Sequence, residues 1–334
     1  MSHKDTRIAV LGDGGWGTTL SLLLASKGFS VILWGAFPEY VEEVRKNREN
    51  VKFLKGFKLP RKLGLTSDLN EASQADVLVL ATPSQHMRKV LKRLDKKTVL
   101  GKTFIIVAKG IETVSLKTMS QVARELLGPV KLAVVSGPNI AREVALGMPA
   151  AASAASKDAS VARRARELFS TDAFSLYESS DMLGVELGGS VKNVIAICAG
   201  IVEGLGLGSN TRAVLFARGL AEMARLGVAM GARRETFMGL SGLGDLATTC
   251  LSPHSRNRTL GEAIGQGKSL KELLGRSEMV VEGVETAKAV HRLSKKYRVK
   301  MPISEAVYKI LFEKQKPESA VKALLHSGLK RELD

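Results

Sequence analysis

The first half of the chain alternates short apolar runs with segments of helical periodicity, and this alternation limits the fold more than any other feature. The runs are Ile8 to Leu11, Val31 to Trp34, Val77 to Ala81, Phe104 to Ala108, and Leu132 to Val135. Each run is rich in Val, Ile and Leu and is followed by enough chain for a crossover helix. The pattern predicts buried parallel strands and therefore a doubly wound α/β sheet.

The second half of the chain has a different pattern. After about residue 185 the apolar residues recur every three or four positions, which predicts helices. One predicted helix carries an apolar stripe formed by Leu187, Val191, Val194, Ile195, Cys198, Ile201 and Val202. We therefore predict a sheet domain over residues 1–184, with edge strands at Ala150 to Ala155 and Phe174 to Tyr177, and an all-α domain over residues 185–334.

Composition narrows the class of protein. The chain has 334 residues, enough for about two domains, and a formal net charge of +17, which favours anionic ligands or solvated helix faces. With two cysteines and five scattered histidines we expect neither a disulfide framework nor a metal site. No signal segment or uninterrupted spanning stretch is apparent, so we expect a cytoplasmic protein without stable membrane insertion.

A glycine-rich turn follows the first apolar run. Gly12, Gly14 and Gly17 form a GxGxxG pattern, with an apolar helical segment directly after it. In this setting the glycines permit a tight turn, close approach of backbone amides to a pyrophosphate, and close packing of helix on strand. The pattern predicts dinucleotide binding. Ala36 follows the second run, so neither an acid for the ribose nor a cation for a 2'-phosphate is evident there.

Two lysines are candidates for chemistry. Lys109 follows the fourth apolar run, at the edge of the sheet where ligands bind. A lysine exposed on the surface without a function would show the same sequence pattern. Lys192 lies opposite the apolar stripe of its helix, between the small residues Gly188 and Ala196. A buried lysine has a lowered pKa and can act as a general acid or base. Helix packing with a snorkelling Lys192 is the alternative.

Polar residues cluster again between residues 242 and 258. Arg256 offers a planar set of donors suited to phosphate, with Ser255 and Asn257 beside it, and Asp245 could hold Lys192. A helix cap at Asp245 and a solvated turn at 255–258 are the structural alternatives.

Together these segments resemble the NAD(P)-dependent glycerol-3-phosphate dehydrogenase family from Arg7 to about Leu311. The residues that carry the resemblance are Gly12 to Gly17, Pro83-Ser84-Gln85, Lys109 to Glu112, Ser136-Gly137-Pro138, Ala141-Arg142-Glu143, Lys192-Asn193, Gly242 to Asp245, Ser255-Arg256-Asn257 and Val280 to Gly283. The resemblance implies a Rossmann domain, a helical domain, and interconversion of dihydroxyacetone phosphate and sn-glycerol 3-phosphate with NADH or NADPH, supplying glycerophospholipid synthesis.

The resemblance also assigns residues to roles. Lys192 is the implied proton-transferring group. The implied substrate contacts are Lys109, Gly137, Asn139, Asn193, Asp245, Thr249, Ser255, Arg256 and Asn257. The implied cofactor contacts are Gly12, Gly14, Gly15, Trp16, Gly17, Pro83, Lys109, Ala141, Arg256, Val280 and Glu282. Gly15, Ala36 and Asn139 depart from the usual family pattern.

Two other functions remain open on the sequence. A β-hydroxyacid dehydrogenase would share both domains and the lysine but would bind a carboxylate, whereas the residues around Arg256 favour a phosphate. A non-catalytic dinucleotide sensor or a nucleic-acid binder would account for the positive charge. With 5% aromatic residues and no basic and aromatic alternation, we expect no nucleic-acid partner. A homodimer is compatible with the sequence.

Overall fold

The computed structural model describes residues 6–276 and 280–326. Their contacts divide the chain into two compact units. The first unit contains residues up to Ala108 together with Met119–Met182, and the second contains Lys109–Thr118 together with the chain from Leu183 onward.

The first unit is built on an eight-stranded sheet. Its strands are β1 (Arg7–Leu11), β2 (Ser30–Trp34), β3 (Gly64–Thr66), β4 (Val77–Leu80), β5 (Thr103–Ile106), β6 (Lys131–Ser136), β7 (Ala150–Ala155) and β8 (Phe174–Ser179). The spatial order is β3-β2-β1-β4-β5-β6-β7-β8. Pairing is parallel from β3 through β6, β7 is antiparallel to β6, and β8 is parallel to β7. This is the predicted doubly wound sheet.

Helices connect these strands. They are α1 (Gly15–Ser26), α2 (Pro38–Asn47), α3 (Leu69–Ser73), α4 (Ser84–Leu91), α5 (Lys96–Val99), α6 (Met119–Leu127), α7 (Ala141–Ala145) and α8 (Ala159–Phe169). The core of the unit consists of the strand side chains and the apolar faces of these helices. Burial of strands on both faces explains why they read as continuous apolar runs.

The regular secondary structure among the described residues of the second unit is helical, apart from an isolated bridge between Ile111 and Thr118. Its helices are α9 (Met182–Gly204), α10 (Ser209–Ala229), α11 (Asp245–Leu251), α12 (Arg256–Gly265), α13 (Leu270–Arg276), α14 (Glu282–Tyr297), α15 (Pro302–Phe312) and α16 (Pro317–His326). A 3-10 turn at Arg234–Met238 and a π-helical turn at Leu240–Gly244 precede α11.

The central helix α9 is more deeply buried than the sequence suggests. A single stripe facing the core was expected, but the described residues of α9 are buried on every side from Val185 to Val202. By length and mean hydropathy this helix could cross a membrane, although Glu186 and Lys192 interrupt its apolar sequence, and its apolar window is entirely buried in the protein. Its hydrophobicity is therefore explained by a place in the core.

Helices α9 and α12 approach each other through glycines. A Cβ atom added at Gly200 or Gly204 would lie 2.0 or 2.2 Å from backbone oxygens of α12, and one added at Gly261 would lie 2.0 Å from the Ile197 oxygen. Since no side chain fits between the backbones, the glycines set the closeness of the two helices.

Sequence and structure differ at a few elements. The short strand β3 was not predicted, because its three residues carry almost no periodic signal. The weakly indicated strands β7 and β8 are present. The structure also assigns residues 109–118 to the second unit, which a boundary between residues 184 and 185 does not allow for. Within that unit the Thr118 hydroxyl donates to Glu186 of α9 at 2.9 Å.

Candidate active site

The glycine turn of the first unit has the form that a dinucleotide requires. Gly12 has a φ of +128°, and a Cβ there would lie 2.7 Å from the backbone of Ala81 and Thr82. A Cβ at Gly17 would lie 1.9 Å from the Gly12 oxygen, whereas a Cβ at Gly14 would meet no described atom within 4 Å beyond its own chain neighbours and helix. The turn is thus packed at its first and third glycines and open at the second, where a pyrophosphate would approach the start of α1.

The neighbouring chain holds this turn in place. Asn50, which is fully buried, donates from Nδ2 to the Asp13 backbone oxygen and to Thr18 Oγ1, each at 2.7 Å. A Cβ at Gly15 would lie 2.7 Å from the Phe53 oxygen, so this position needs glycine rather than merely a small residue. Sequence reasoning missed Asn50, because a lone asparagine far from the motif gives no signal.

In the second unit, Lys192 is held by Asp245. Its ammonium group donates to Asp245 Oδ1 and to Thr249 Oγ1, the latter at 2.6 Å. Lys109 donates to the other carboxylate oxygen of Asp245 at 2.8 Å. The predicted pairing of Asp245 with Lys192 is present, and the shared carboxylate, not foreseen from the sequence, brings the two lysines together.

The electrostatics of this cluster suit proton transfer. Lys192 is 5% exposed and Asp245 2% exposed. Burial lowers the pKa of Lys192 to about 8, and the attraction of Asp245 opposes that effect. With both lysines protonated, one carboxylate faces two cations, leaving a positive charge available to an anionic ligand. A lysine that titrates near neutral pH can give or take a proton.

The space beside Lys192 on α9 is filled by the backbone of another segment of the protein. A Cβ at Gly188 would lie 2.5 Å from the Ser241 oxygen, in the π-helical turn that leads into α11. Gly188, one turn before Lys192, therefore allows the backbone of this turn to pack closely, and the turn leads directly to Asp245. The sequence had left open whether a ligand or another part of the chain approaches α9 at this position.

A pair of asparagines joins α9 to α12. Asn257 Nδ2 donates to Asn193 Oδ1 at 2.9 Å, and Asn257 Oδ1 accepts from the Gly283 amide at 3.0 Å. These residues directly follow Lys192 and Arg256 in the chain. The buried amide pair therefore fixes the register of the helices that present the two cations.

Arg256 lies at the first position of α12. Ser255 caps this helix by accepting from the Arg258 amide at 3.3 Å, and Arg256 Nη1 donates to the Val280 oxygen at 2.8 Å. The Arg256 side chain is exposed. The sequence also allowed a solvated turn here, but the chain forms a capped helix. The Arg256 guanidinium at its start is anchored through one N–H group, and its other N–H groups can donate to a phosphate.

The remaining expected contacts lie in both units. In the first unit, Pro83 directly precedes α4, Asn139 follows β6, and Ala141 begins α7 and accepts from Thr19 Oγ1 at 3.0 Å. Gly137 is needed for packing, since a Cβ there would lie 2.6 Å from the Ala152 Cα. Their contacts with ligands stay predictions.

Trp16 and Glu282 also stay predictions as cofactor contacts. Trp16 packs edge-on against Phe174 with ring centroids 6.2 Å apart, and its buried Nε1 has no hydrogen-bond partner among the described residues. Glu282 is the first residue of α14 in the second unit, and Val280 lies two residues before it.

Among residues 6–276 and 280–326, no group of three or more His, Cys, Asp and Glu side chains that could hold a metal ion comes together. Cys198 and Cys250 are both buried free thiols.

A Rossmann sheet with an open glycine turn, together with a buried lysine–carboxylate pair, defines a dinucleotide-dependent dehydrogenase. Residues 7–162 match the model of the NAD-dependent glycerol-3-phosphate dehydrogenase N-terminus, and residues 181–322 match that of its C-terminus. The chain belongs to the NAD-dependent glycerol-3-phosphate dehydrogenase family.

Individual relatives agree with this assignment over their full length. The chain is 52% identical to a glycerol-3-phosphate dehydrogenase [NAD(P)+] of Citrifermentans bemidjiense, covering 98% of each chain. It is 50% identical to that of Geobacter sulfurreducens, again over 98% of each. The crystal structure of glycerol-3-phosphate dehydrogenase from Coxiella burnetii matches with a TM-score of 0.93 and 38% identity, covering 96% of this chain and 99% of that one.

Proposed function

We propose that this protein interconverts dihydroxyacetone phosphate and sn-glycerol 3-phosphate with NADH or NADPH, and so supplies glycerol 3-phosphate for glycerophospholipid synthesis. The observation that carries the proposal is the buried Lys192, held by Asp245 and Thr249 with its pKa lowered to about 8. We place the protein in the cytoplasm. Each group used in this reaction belongs to a single chain, which is compatible with a homodimer.

The residues divide the work of reduction. A bound nicotinamide would supply the hydride for C2 of the substrate. Lys192, as ammonium, donates a proton to the carbonyl oxygen, and as the neutral amine it takes that proton back in the oxidation. Asp245 orients the ammonium group, while Lys109, the more exposed of the two lysines, adds positive charge for the substrate.

Arg256 binds the phosphate group in this proposal. Val280 anchors one of its N–H groups, so the guanidinium meets the ligand already oriented. Binding energy from a phosphate remote from C2 can then hold the reacting carbon in position.

The test compares Lys192→Met with Lys271→Met, which changes an exposed lysine on α13 of the same unit. NADH oxidation with dihydroxyacetone phosphate is followed by absorbance. We expect Lys192→Met to lose about 10²–10⁴-fold in kcat, the usual contribution of a general acid, and the control to keep its rate. Full turnover by Lys192→Met would refute the assigned role.

A second arm addresses the phosphate. We expect Arg256→Ala to raise KM for dihydroxyacetone phosphate by about 10–100-fold, the equivalent of one or two charge-assisted hydrogen bonds. The same variant should impair any reaction of unphosphorylated dihydroxyacetone much less, because that substrate has no phosphate to lose contact with. Equal effects on both substrates would mean that Arg256 does not bind phosphate.

A further inference from the structure

The end of β2 lacks the acidic residue that many dinucleotide-binding sheets use. In such sheets an Asp or Glu about 20 residues beyond the glycine motif accepts a hydrogen bond from the ribose 2'-hydroxyl. Here β2 ends at Trp34, and the chain continues through Gly35, Ala36 and Phe37. The strand itself therefore supplies no acceptor side chain at this point.

A carboxylate reaches the same place from another part of the chain. A Cβ added at Gly35 would lie 2.3 Å from Asp13 Oδ2 and 2.7 Å from Val41 Cγ2. Asp13 belongs to the glycine turn and is the residue between Gly12 and Gly14. Because residue 35 has no side chain, the Asp13 carboxyl group occupies the space at the carboxyl end of β2.

The carboxyl group of Asp13 is incompletely satisfied within the protein. Its Oδ2 is buried and has no hydrogen-bond partner among the described residues, although the residue as a whole keeps partial exposure. Burial raises the pKa of this carboxyl group. A buried acceptor without a donor costs stability and needs an explanation. Because the residue keeps partial exposure, rotation of the Asp13 side chain would present this oxygen to a donor on a ligand in the open turn.

The backbone at this position is held firmly. Asn50 bonds the Asp13 carbonyl oxygen at 2.7 Å, and the Gly12 amide donates to the Trp34 oxygen at 3.0 Å. The turn and the end of β2 are therefore tied together, and the Asp13 carboxyl group is presented from a fixed backbone.

We propose that Asp13 accepts a hydrogen bond from the adenosine ribose of the bound dinucleotide and so makes this protein selective for NADH over NADPH. The inference rests on the proposed function, since it assumes that the glycine turn binds the cofactor. A ribose hydroxyl is a donor that satisfies the carboxylate. A 2'-phosphate offers no donor when ionised and brings negative charge against it, and Ala36 supplies no cation in compensation.

The experiment measures binding of NADH and of NADPH to the full chain, by quenching of tryptophan fluorescence. Both tryptophans of the protein, Trp16 and Trp34, lie in the first unit near this turn. Asp13→Asn keeps the shape and removes the charge, whereas Asp13→Ala removes both. Glu39→Gln is the matched control, because it removes one negative charge from an exposed residue of α2, just beyond β2.

We expect the wild type to bind NADH at least about tenfold more tightly than NADPH, as one charge-assisted contact would produce. Asp13→Asn should tighten NADPH binding and Asp13→Ala should weaken NADH binding, so the ratio of the two Kd values falls in both. Glu39→Gln should keep the wild-type ratio. Melting temperatures of the four proteins show whether each variant is folded.

The outcomes separate the inference from the proposed function. Unchanged Kd ratios in folded Asp13 variants, or wild-type binding that does not discriminate, would overturn the inference while turnover of dihydroxyacetone phosphate remained. Binding of neither dinucleotide by the wild type would overturn both. The expected ratios without any turnover would support the inference and count against the proposed function.

Discussion

At the scale of single residues, the pKa of Lys192 is set by two opposing effects. Burial lowers it to about 8, and the carboxylate of Asp245 raises it. In the proposed reaction the ammonium form drives reduction, so the reduction rate should fall as pH rises through about 8, while the oxidation rate rises over the same range.

Replacing Asp245 tests this balance. Asp245→Asn removes the attraction that favours the charged lysine, so we expect the falling limb of the reduction profile to move to lower pH by about 1–3 units. The pH dependence of kcat measures the shift. Lys271→Met, which leaves the cluster intact, is the control, and a limb that stays in place in Asp245→Asn would show that another group governs it.

At the scale of elements, the approach of α9 to α12 should be sensitive to a single methyl group. A Cβ at Gly261 would lie 2.0 Å from the Ile197 oxygen, whereas one at Gly275 of α13 would meet no atom of another described part of the chain within 4 Å. We expect Gly261→Ala to lower the free energy of unfolding by about 1–3 kcal/mol through overpacking.

The same substitution at Gly275 should have the opposite sign. Gly275→Ala removes a flexible residue from a helix and should raise the free energy of unfolding by about 0.5–1 kcal/mol. Urea denaturation of the two variants measures both effects. If both substitutions stabilised the protein, the helices would be able to move apart at little cost.

At the scale of the whole molecule, Glu222 makes stability depend on pH. This fully buried residue of α10 accepts from the Ile303 amide, at 2.6 Å, and from the Ser304 amide and hydroxyl at the start of α15. Burial raises its pKa to about 7, opposed by these bonds. Its folded-state pKa is therefore above the value of roughly 4.3 expected in the unfolded chain.

The sign of the effect follows from proton binding. The folded state holds this proton more tightly, so the stabilisation is complete below the unfolded pKa and is lost as pH rises through about 7. We expect the difference in free energy of unfolding between wild type and Glu222→Gln to shrink by about 3–4 kcal/mol over that range. Thermal unfolding at several pH values measures it, with the exposed Glu318→Gln as control. A difference independent of pH would contradict the assignment.

Much of the architecture could be predicted because its signals are local. The buried strands of a parallel sheet are continuous apolar runs, and the turn after β1 needs glycines at fixed spacing, so both are visible in short stretches of sequence. Strand β3 escaped prediction because three residues are too few for a periodic pattern. The assignment of residues 109–118 to the second unit was not predicted, because the sequence of a polar loop does not indicate which core the loop packs against.

The sequence by itself determined the class of fold, the dinucleotide turn and the residue types available for proton transfer and phosphate binding. The sequence also suggested that Asp245 holds Lys192, but only the tertiary structure decided the other partners: Lys109 with the same Asp245, Asn193 with Asn257, and Asp13 beside Gly35. The reason is physical. A buried polar or charged group must find a partner wherever folding brings one, and residues 109 and 245 are separated along the chain by many positions that give no indication of the contact.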